Sequence, residues 1–366
     1  MHERLLIVKL SSLGDVIQAM PVIADVRRFF EESGQSLSLE WAVEEDYQSL
    51  LSLHPGVDRV IPVGLRRWRK AGLVAAWRNA SLRAERTILK EELSKYSYDA
   101  IIDLQGLMKS AWVAQLAIGP RHGWDRKACR ESLASFTYKH RYAAPPYDAM
   151  PAVHRYRELC ADVLGYRKRL TDWPLDYGFK HGNLDTPMHV GQDAIAGKSS
   201  TSKSILFLHG SAREEKLWPE ALWIGLGKVL IQRGFSIELG WGHSVEQERA
   251  WRIARGISAD ETSRLESLQD SSLGTQMLRV DARRLSLDEW PSRLASLRAV
   301  VGVDSGLLFL ALACGVPALG IYLSTDPGHV GLMGSSPHCN LGGKSQSVSI
   351  DDVVKGLEAL NVLDAV

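Results

Sequence analysis

Several features that would label a chain quickly are scarce here. Only four cysteines occur in 366 residues, Cys129, Cys160, Cys314 and Cys339, and no two form a C-x-x-C pair. That spacing argues against a zinc site or a disulfide frame and suits reduced thiols in a cytosolic protein. An excess of one charge is also missing: 44 Lys and Arg against 43 Asp and Glu leave a net charge of +1. No global field would steer such a chain to nucleic acid. Neither a D-x-D pair for a nucleotide-bound metal nor an H-x-x-x-H occurs. Chemistry without a metal or other cofactor is therefore the expectation. The start, MHERLLIVKL, enters a strand-like run at once, with no apolar signal region. The stretch that most resembles a membrane span, Leu297 to Leu323, is broken by Asp304, Gly306, Gly315 and Pro317. A spanning helix needs about 20 uninterrupted apolar residues. A buried strand, turn, helix and strand are expected there instead of a transmembrane segment.

What is present is an ordinary globular balance, 45% hydrophobic and 24% charged, in a chain long enough for two domains. Leu5–Leu10 reads as a strand buried on both faces, followed by SSLGD and by apolar residues at helical spacing from Val16 to Phe30. Leu39–Val43, Arg59–Val63 and Ala100–Leu104 are further strand candidates, with helical patterns between them. Residues 177–204 turn polar and rich in Gly and Ser, as a linker would. A second series then begins, with strands at Ile205–Leu208, Ser236–Leu239, Ala299–Val303 and Ala318–Tyr322 and helices at Glu220–Gln232 and Gly306–Cys314. The stretch between Arg255 and Asp281 reads as a helix end and an elaborated loop. Alternation of this kind implies α/β architecture with parallel sheets. The expected division is an N-terminal Rossmann-like domain at 1–176, the linker, a C-terminal one at 205–345, and a last helix in 346–366 returning to the N-terminal domain.

Five places could carry chemistry. In Ser11-Ser12-Leu13-Gly14-Asp15 a strand, a turn and a helix start offer backbone N–H groups to an anion. One glycine is too few for a dinucleotide fingerprint, and Asp15 reads equally as a helix cap or first-turn acid. His209 to Pro219 (HGSAREEKLWP) brings hydroxyl and cationic groups to the first strand end of the second half, where Lys216 either meets a diphosphate or pairs with Glu214 or Glu215. Gly302-Val303-Asp304-Ser305-Gly306 opens a helix whose N–H groups could hold phosphate, with Asp304 as sugar ligand or as cap. The same residues fit a nucleophile elbow with Asp304 as a hydrolase nucleophile. About 60 residues after Asp304 are too few for the rest of that fold. Glu246, past a strand, could bind a ribose diol or be a surface acid. Finally, Arg66-Arg67-Trp68-Arg69-Lys70, with Arg121, Arg126, Lys127 and Arg130, is a basic cluster for an anionic substrate or a solvated face, the embedded tryptophan favouring binding.

Together the segments LLIVKLSSLGDV, EWAVEE, RVIPVGLRRWRK, YDAIIDLQGLMKSA, HGWDRKACRE, RELCADVLGY, FLHGSAREEKLWPE, WGHSVEQER, GVDSGL and STDPG resemble, in order, the ADP-heptose:lipopolysaccharide heptosyltransferases. Within that family RRWRK resembles the branch that adds the first heptose. The resemblance implies a GT-B fold, two facing Rossmann-like domains with a cleft between them. It also implies inverting, metal-independent transfer of heptose from an ADP-heptose donor to the inner Kdo of a Kdo2-lipid A acceptor. The protein would be cytoplasmic and peripheral on the inner membrane. Asp15 would be the base and Lys216 the group balancing the leaving ADP. Ser211, Ala212, Glu246, Leu285, Asp304, Ser305, Gly306 and Phe309 would line the donor, Glu246 at the ribose and Leu285 at the adenine. Arg66, Arg67, Arg69, Lys70 and Arg130 would meet the acceptor. Three departures stand out: Phe309 where the family has histidine, Ala212 where it has threonine, and a longer stretch between Glu246 and Leu285. Another nucleotide-sugar transferase of the fold, or a binder without turnover, are the alternatives.

Overall fold

A computed structural model describes residues 2–70, 79–179, 202–258 and 277–364. The chain divides into two compact units, Met1–Phe179 and Lys180–Val366. Most of the expected linker (180–201) and most of the elaborated loop (259–276) lie outside the described residues.

The first unit holds strands β1 (His2–Val8), β2 (Ser36–Glu44), β3 (Arg59–Val63), β4 (Ala100–Asp103), β5 (Arg121–Trp124) and β6 (His140–Tyr142). They form one sheet in the order β3-β2-β1-β4-β5-β6, parallel throughout. Its helices include α1 (Leu13–Ala19), α2 (Pro21–Glu32), α3 (Leu65–Lys70), α4 (Ala80–Ser94), α5 (Met108–Leu116) and α6 (Ala152–Leu164). The helical periodicity read from Val16 to Phe30 is two helices, because Pro21 opens α2 and has no N–H to continue α1.

The second unit repeats the plan with β7 (Ser204–Leu208), β8 (Ser236–Leu239), β9 (Leu278–Val280), β10 (Ala299–Val303), β11 (Ala318–Tyr322) and β12 (His338–Gly342). Their order is β12-β11-β10-β7-β8-β9, again parallel. Counted from its own first strand, this is the order of the first sheet. Each is the Rossmann order, with its switch point beside the first strand, where ligands bind past the strand ends. At that point Gly302 lets β10 lie close to β7, since a Cβ there would sit 2.9 Å from the Leu208 Cβ.

Helices α7 (Glu220–Gln232), α8 (Ser244–Ser258), α9 (Gly306–Ala313) and α10 (Ile350–Ala359) pack on this sheet or on one another. Helix α10 packs within the second unit. Val353, Val354 and Leu357 bury its apolar face in the second unit's own core, against α7, β11 and β12. The 297–323 stretch is β10, α9 and β11, and no helix among the described residues is long and apolar enough to cross a membrane. All four cysteines are free thiols.

Candidate active site

In the first unit Asp15 sits in the first turn of α1 and does two jobs with its two oxygens. Oδ2 accepts from the Ser12 N–H at 3.0 Å and the Ser12 hydroxyl at 2.8 Å, which caps the helix. Oδ1 accepts from the Tyr156 hydroxyl at 3.1 Å and faces the Lys9 ammonium at 3.7 Å. Lys9 itself is only 2% exposed and donates to the Tyr156 hydroxyl at 2.8 Å. Asp15 is 21% exposed, so its side chain is not sealed from solvent. Burial would raise its pKa, but the Lys9 charge and the hydrogen bonds from Ser12 and Tyr156 outweigh burial and hold it below the ordinary 3.8. Burial likewise lowers the Lys9 pKa, with Asp15 and Asp103 resisting.

The loop under Asp15 is pinned from β4. Gln105 Oε1 accepts from the backbone N–H groups of Leu10 and Ser11 at 2.8 and 3.3 Å. Asp103 holds that turn through the Gln105 and Gly106 N–H groups and receives the Tyr138 hydroxyl at 2.7 Å. Lys109, at the start of α5, donates to the Ser11 hydroxyl at 2.8 Å. Lys9, Gln105, Lys109 and Tyr156 are absent from the sequence-derived site. A lysine inside the apolar run LLIVKL was a usable signal, since a buried lysine needs partners. Nothing local marks Tyr156, which is brought in from α6.

The basic block divides. Burial lowers the Lys109 pKa, and Arg66, Arg69 and Arg130 add to that while Glu44 opposes it; Arg130 acts the same way on Lys9. Arg130 also lies over the Tyr147 ring, 5.1 Å from its centroid. Arg67 belongs elsewhere: it bonds Glu45 at 2.9 Å and Glu85 at 2.8 Å. Two carboxylates thus share its exposed guanidinium. The reading of Trp68 as a binding aromatic is corrected. Trp68 is 7% exposed within the core and donates to Glu85 at 2.7 Å. Lys70 is exposed at the end of α3.

The second unit gathers the other candidates at the ends of β7, β8 and β10. Lys216 donates to Asp304 Oδ2 at 2.6 Å, and Thr325 reaches the same oxygen at 3.1 Å. The partner of Lys216 is thus Asp304, just past the adjacent strand β10, and not the neighbouring Glu214 or Glu215. No histidine bonds Asp304 among the described residues, so the hydrolase elbow lacks its base. Ser305 caps α9 with its hydroxyl unpartnered among the described residues, and Gly306 starts the helix. Ser211 Oγ accepts from the Arg213 N–H at 3.4 Å, and Ala212 beside it is exposed. Glu246, in the first turn of α8, accepts from the Gly242 N–H at 2.7 Å. It lies over Gly210, where a Cβ would come 2.4 Å from its Oε1, so only glycine admits the carboxylate to the end of β7. His209 beneath is buried, which lowers its pKa to about 4 and keeps it neutral. Leu285 is half-buried after β9. Phe309 is 3% exposed. The ring packs inward from α9, as burial favours an apolar side chain.

The chain matches a known family over most of its length. The profile of glycosyltransferase family 9 (heptosyltransferase) matches residues 86–354. The chain belongs to glycosyltransferase family 9. Lipopolysaccharide heptosyltransferase 1 of Escherichia coli K12 is 37% identical over 337 residues, 91% of this chain and 92% of that one. The protein of the same name from Pseudomonas aeruginosa is 37% identical over 91% of this chain and 82% of its own length. Among solved structures, E. coli heptosyltransferase WaaC with ADP superposes with a TM-score of 0.79 at 34% identity, covering 98% of this chain and 99% of that one. The complex of WaaC with ADP-2-deoxy-2-fluoro heptose gives 0.77 at 33% identity, covering 97% and 99%. In family 9 terms the two Rossmann units are a GT-B fold, and the loops described above are those of a glycosyltransferase.

Proposed function

We propose that this chain transfers L-glycero-D-manno-heptose from ADP-heptose to the inner Kdo of Kdo2-lipid A, inverting the anomeric configuration. The observation that carries the reading is Asp15: a carboxylate kept ionised, held at Oδ2 by Ser12, not sealed from solvent, and next to the Ser11 loop that Lys109 bonds, with Arg66, Arg69 and Arg130 acting on that lysine. Those cations suit an acceptor bearing carboxylates and phosphates. Asp15 takes the proton of the attacking hydroxyl as the new glycosidic bond forms. The transition state is oxocarbenium-like. Charge building on the leaving diphosphate is met by Lys216 and by the N–H groups at Ser305 and Gly306. Asp304, released from Lys216 by the incoming phosphate, accepts heptose hydroxyls, and Glu246 accepts the ribose diol. Work at the cytoplasmic face of the inner membrane, as a peripheral protein, follows from the acceptor.

The direct test is turnover of ADP-heptose and Kdo2-lipid A by the purified chain. Product with an inverted linkage is expected, and no product would overturn the reading. ADP should raise the thermal midpoint more than UDP or GDP does. Because Lys216 and a helix N-terminus stabilise the diphosphate, transfer should continue at full rate in EDTA; loss of rate that added divalent metal restores would refute metal independence. A carboxylate whose folded pKa is depressed stays charged above that value, so kcat should be flat from pH 8 down to about 5. A limb near pH 6 would assign the base to another group. Arg130→Ala should raise the acceptor KM about tenfold, whereas Arg67→Ala should leave it within about twofold.

A further inference from the structure

A carboxylate offers about four in-plane acceptor positions, two on each oxygen. On Asp15, Ser12 fills both positions of Oδ2, and Tyr156 fills one of Oδ1. The remaining position, on Oδ1, receives no hydrogen bond among the described residues. The Lys9 ammonium lies 3.7 Å from this oxygen, beyond hydrogen-bond reach. What keeps it there is its own bond to the Tyr156 hydroxyl, 2.8 Å long and the one hydrogen bond shown for this amine among the described residues. Because the hydroxyl accepts from Lys9, its single proton is left to point at Asp15.

We propose that Tyr156 is a positioning residue for the base: by taking the Lys9 hydrogen bond it holds the ammonium off Asp15 and leaves one acceptor position of Oδ1 open for the sugar hydroxyl. The inference rests on the reading of Asp15 as that base. In the step itself the sugar O–H proton goes to Oδ1, the sugar oxygen bonds the anomeric carbon, and ADP leaves with the electron pair of the broken bond. Without the phenol, the buried ammonium would have Asp15 as its nearest partner. An unsatisfied buried donor is costly enough to draw Lys9 across the gap, and a direct ion pair would occupy the position the substrate needs.

The charged and titratable groups around this cluster come from every neighbouring element. Lys9 follows β1, Asp103 ends β4, and Lys109 on α5 reaches Ser11. Tyr147 and Arg130 approach from the loops before α6. On α6 itself Arg157 is committed to Asp25 at 2.6 Å and Arg155 to the Ala128 carbonyl. None of these replaces Tyr156 between Lys9 and Asp15.

The test compares the native chain with Tyr156→Phe, Lys9→Met/Tyr156→Phe and Asp15→Asn in the heptose-transfer assay, with ADP binding as a control in the second unit. Tyr156→Phe should lower kcat by tenfold or more with both KM values within about twofold. Adding Lys9→Met should restore kcat to within about threefold of native, because the cation that fills Oδ1 is gone. A merely structural tyrosine predicts the opposite, a further loss on the second substitution. An unchanged kcat in Tyr156→Phe, or no recovery in the double variant, overturns the inference. The double variant buries no unpaired ammonium and so keeps the comparison open where the single one does not fold. Full turnover by Asp15→Asn would instead remove the base on which the inference rests.

Discussion

Asp15→Asn is expected to reduce heptose transfer by roughly 10²–10⁴-fold, the usual worth of a general base, while ADP affinity stays within about twofold. The amide is isosteric and keeps an oxygen to accept from the Ser12 N–H, and the N-cap Ser12 is unchanged, so α1 keeps its start. What is lost is a lone pair basic enough to take the acceptor proton. The amide nitrogen can donate but cannot accept, so one side of the group is wrong for the step. Asparagine also removes the charge opposite Lys9. Burial already lowers the Lys9 pKa, and the amine can shed its proton when its counter-charge goes, which limits the damage to folding. The stability contribution has a definite sign. A carboxyl with a depressed folded pKa stabilises the fold above its ordinary value, and that contribution is lost as pH falls through the folded one. The native chain and the Asp15→Asn variant should therefore converge in thermal midpoint toward acid pH. Steady-state rates with isothermal ADP titration decide the matter, and a variant within tenfold of native would place the base elsewhere.

Lys216→Ala should lower kcat/KM for ADP-heptose by about 10²–10³-fold, the scale for deleting one group that stabilises developing negative charge. Two effects add. The cation that meets the diphosphate is removed, and Asp304, bonded by Lys216 at 2.6 Å, is left with Thr325 beside an incoming anion. Lys216→Arg should recover part of the loss, since charge is kept but a planar fork replaces a point charge. Lys216→Ala with Asp304→Asn should lose less than the sum of the two, because the repulsion that the first change uncovers is absent in the second. Equal donor kinetics in Lys216→Ala and native protein would sink the assignment.

Much of the fold was legible along the chain. The central strands are continuous apolar runs because both faces are covered, and β3, β8, β10 and β11 fall at the expected residues. Strands β5, β6, β9 and β12 escaped notice: they lie toward the sheet edges, run three to five residues, and carry polar residues such as the HRY of β6. Short edge strands take their conformation from the neighbour they pair with, and local pattern does not record that.

The candidate site separates along the same line. Residue type and position after a strand marked Asp15, Lys216, Glu246 and Asp304 as candidates, because ligands bind past strand ends at a switch point, and the family resemblance gave them roles. Which cation pairs with which anion was not legible. Arg67 and Arg130 look alike in sequence, yet Arg67 is spent on Glu45 and Glu85 while Arg130 stays near Lys9. Trp68 looked like a binding aromatic and is core. By itself, then, the sequence determined the alternation of strands and helices and the acids and bases that close each strand. The partners were decided only by tertiary structure, where α6 brings Tyr156 to Asp15 and β10 brings Asp304 to Lys216. Pattern along a chain reports burial and local geometry, whereas a hydrogen bond between residues 141 or 88 positions apart exists only once packing has closed the distance.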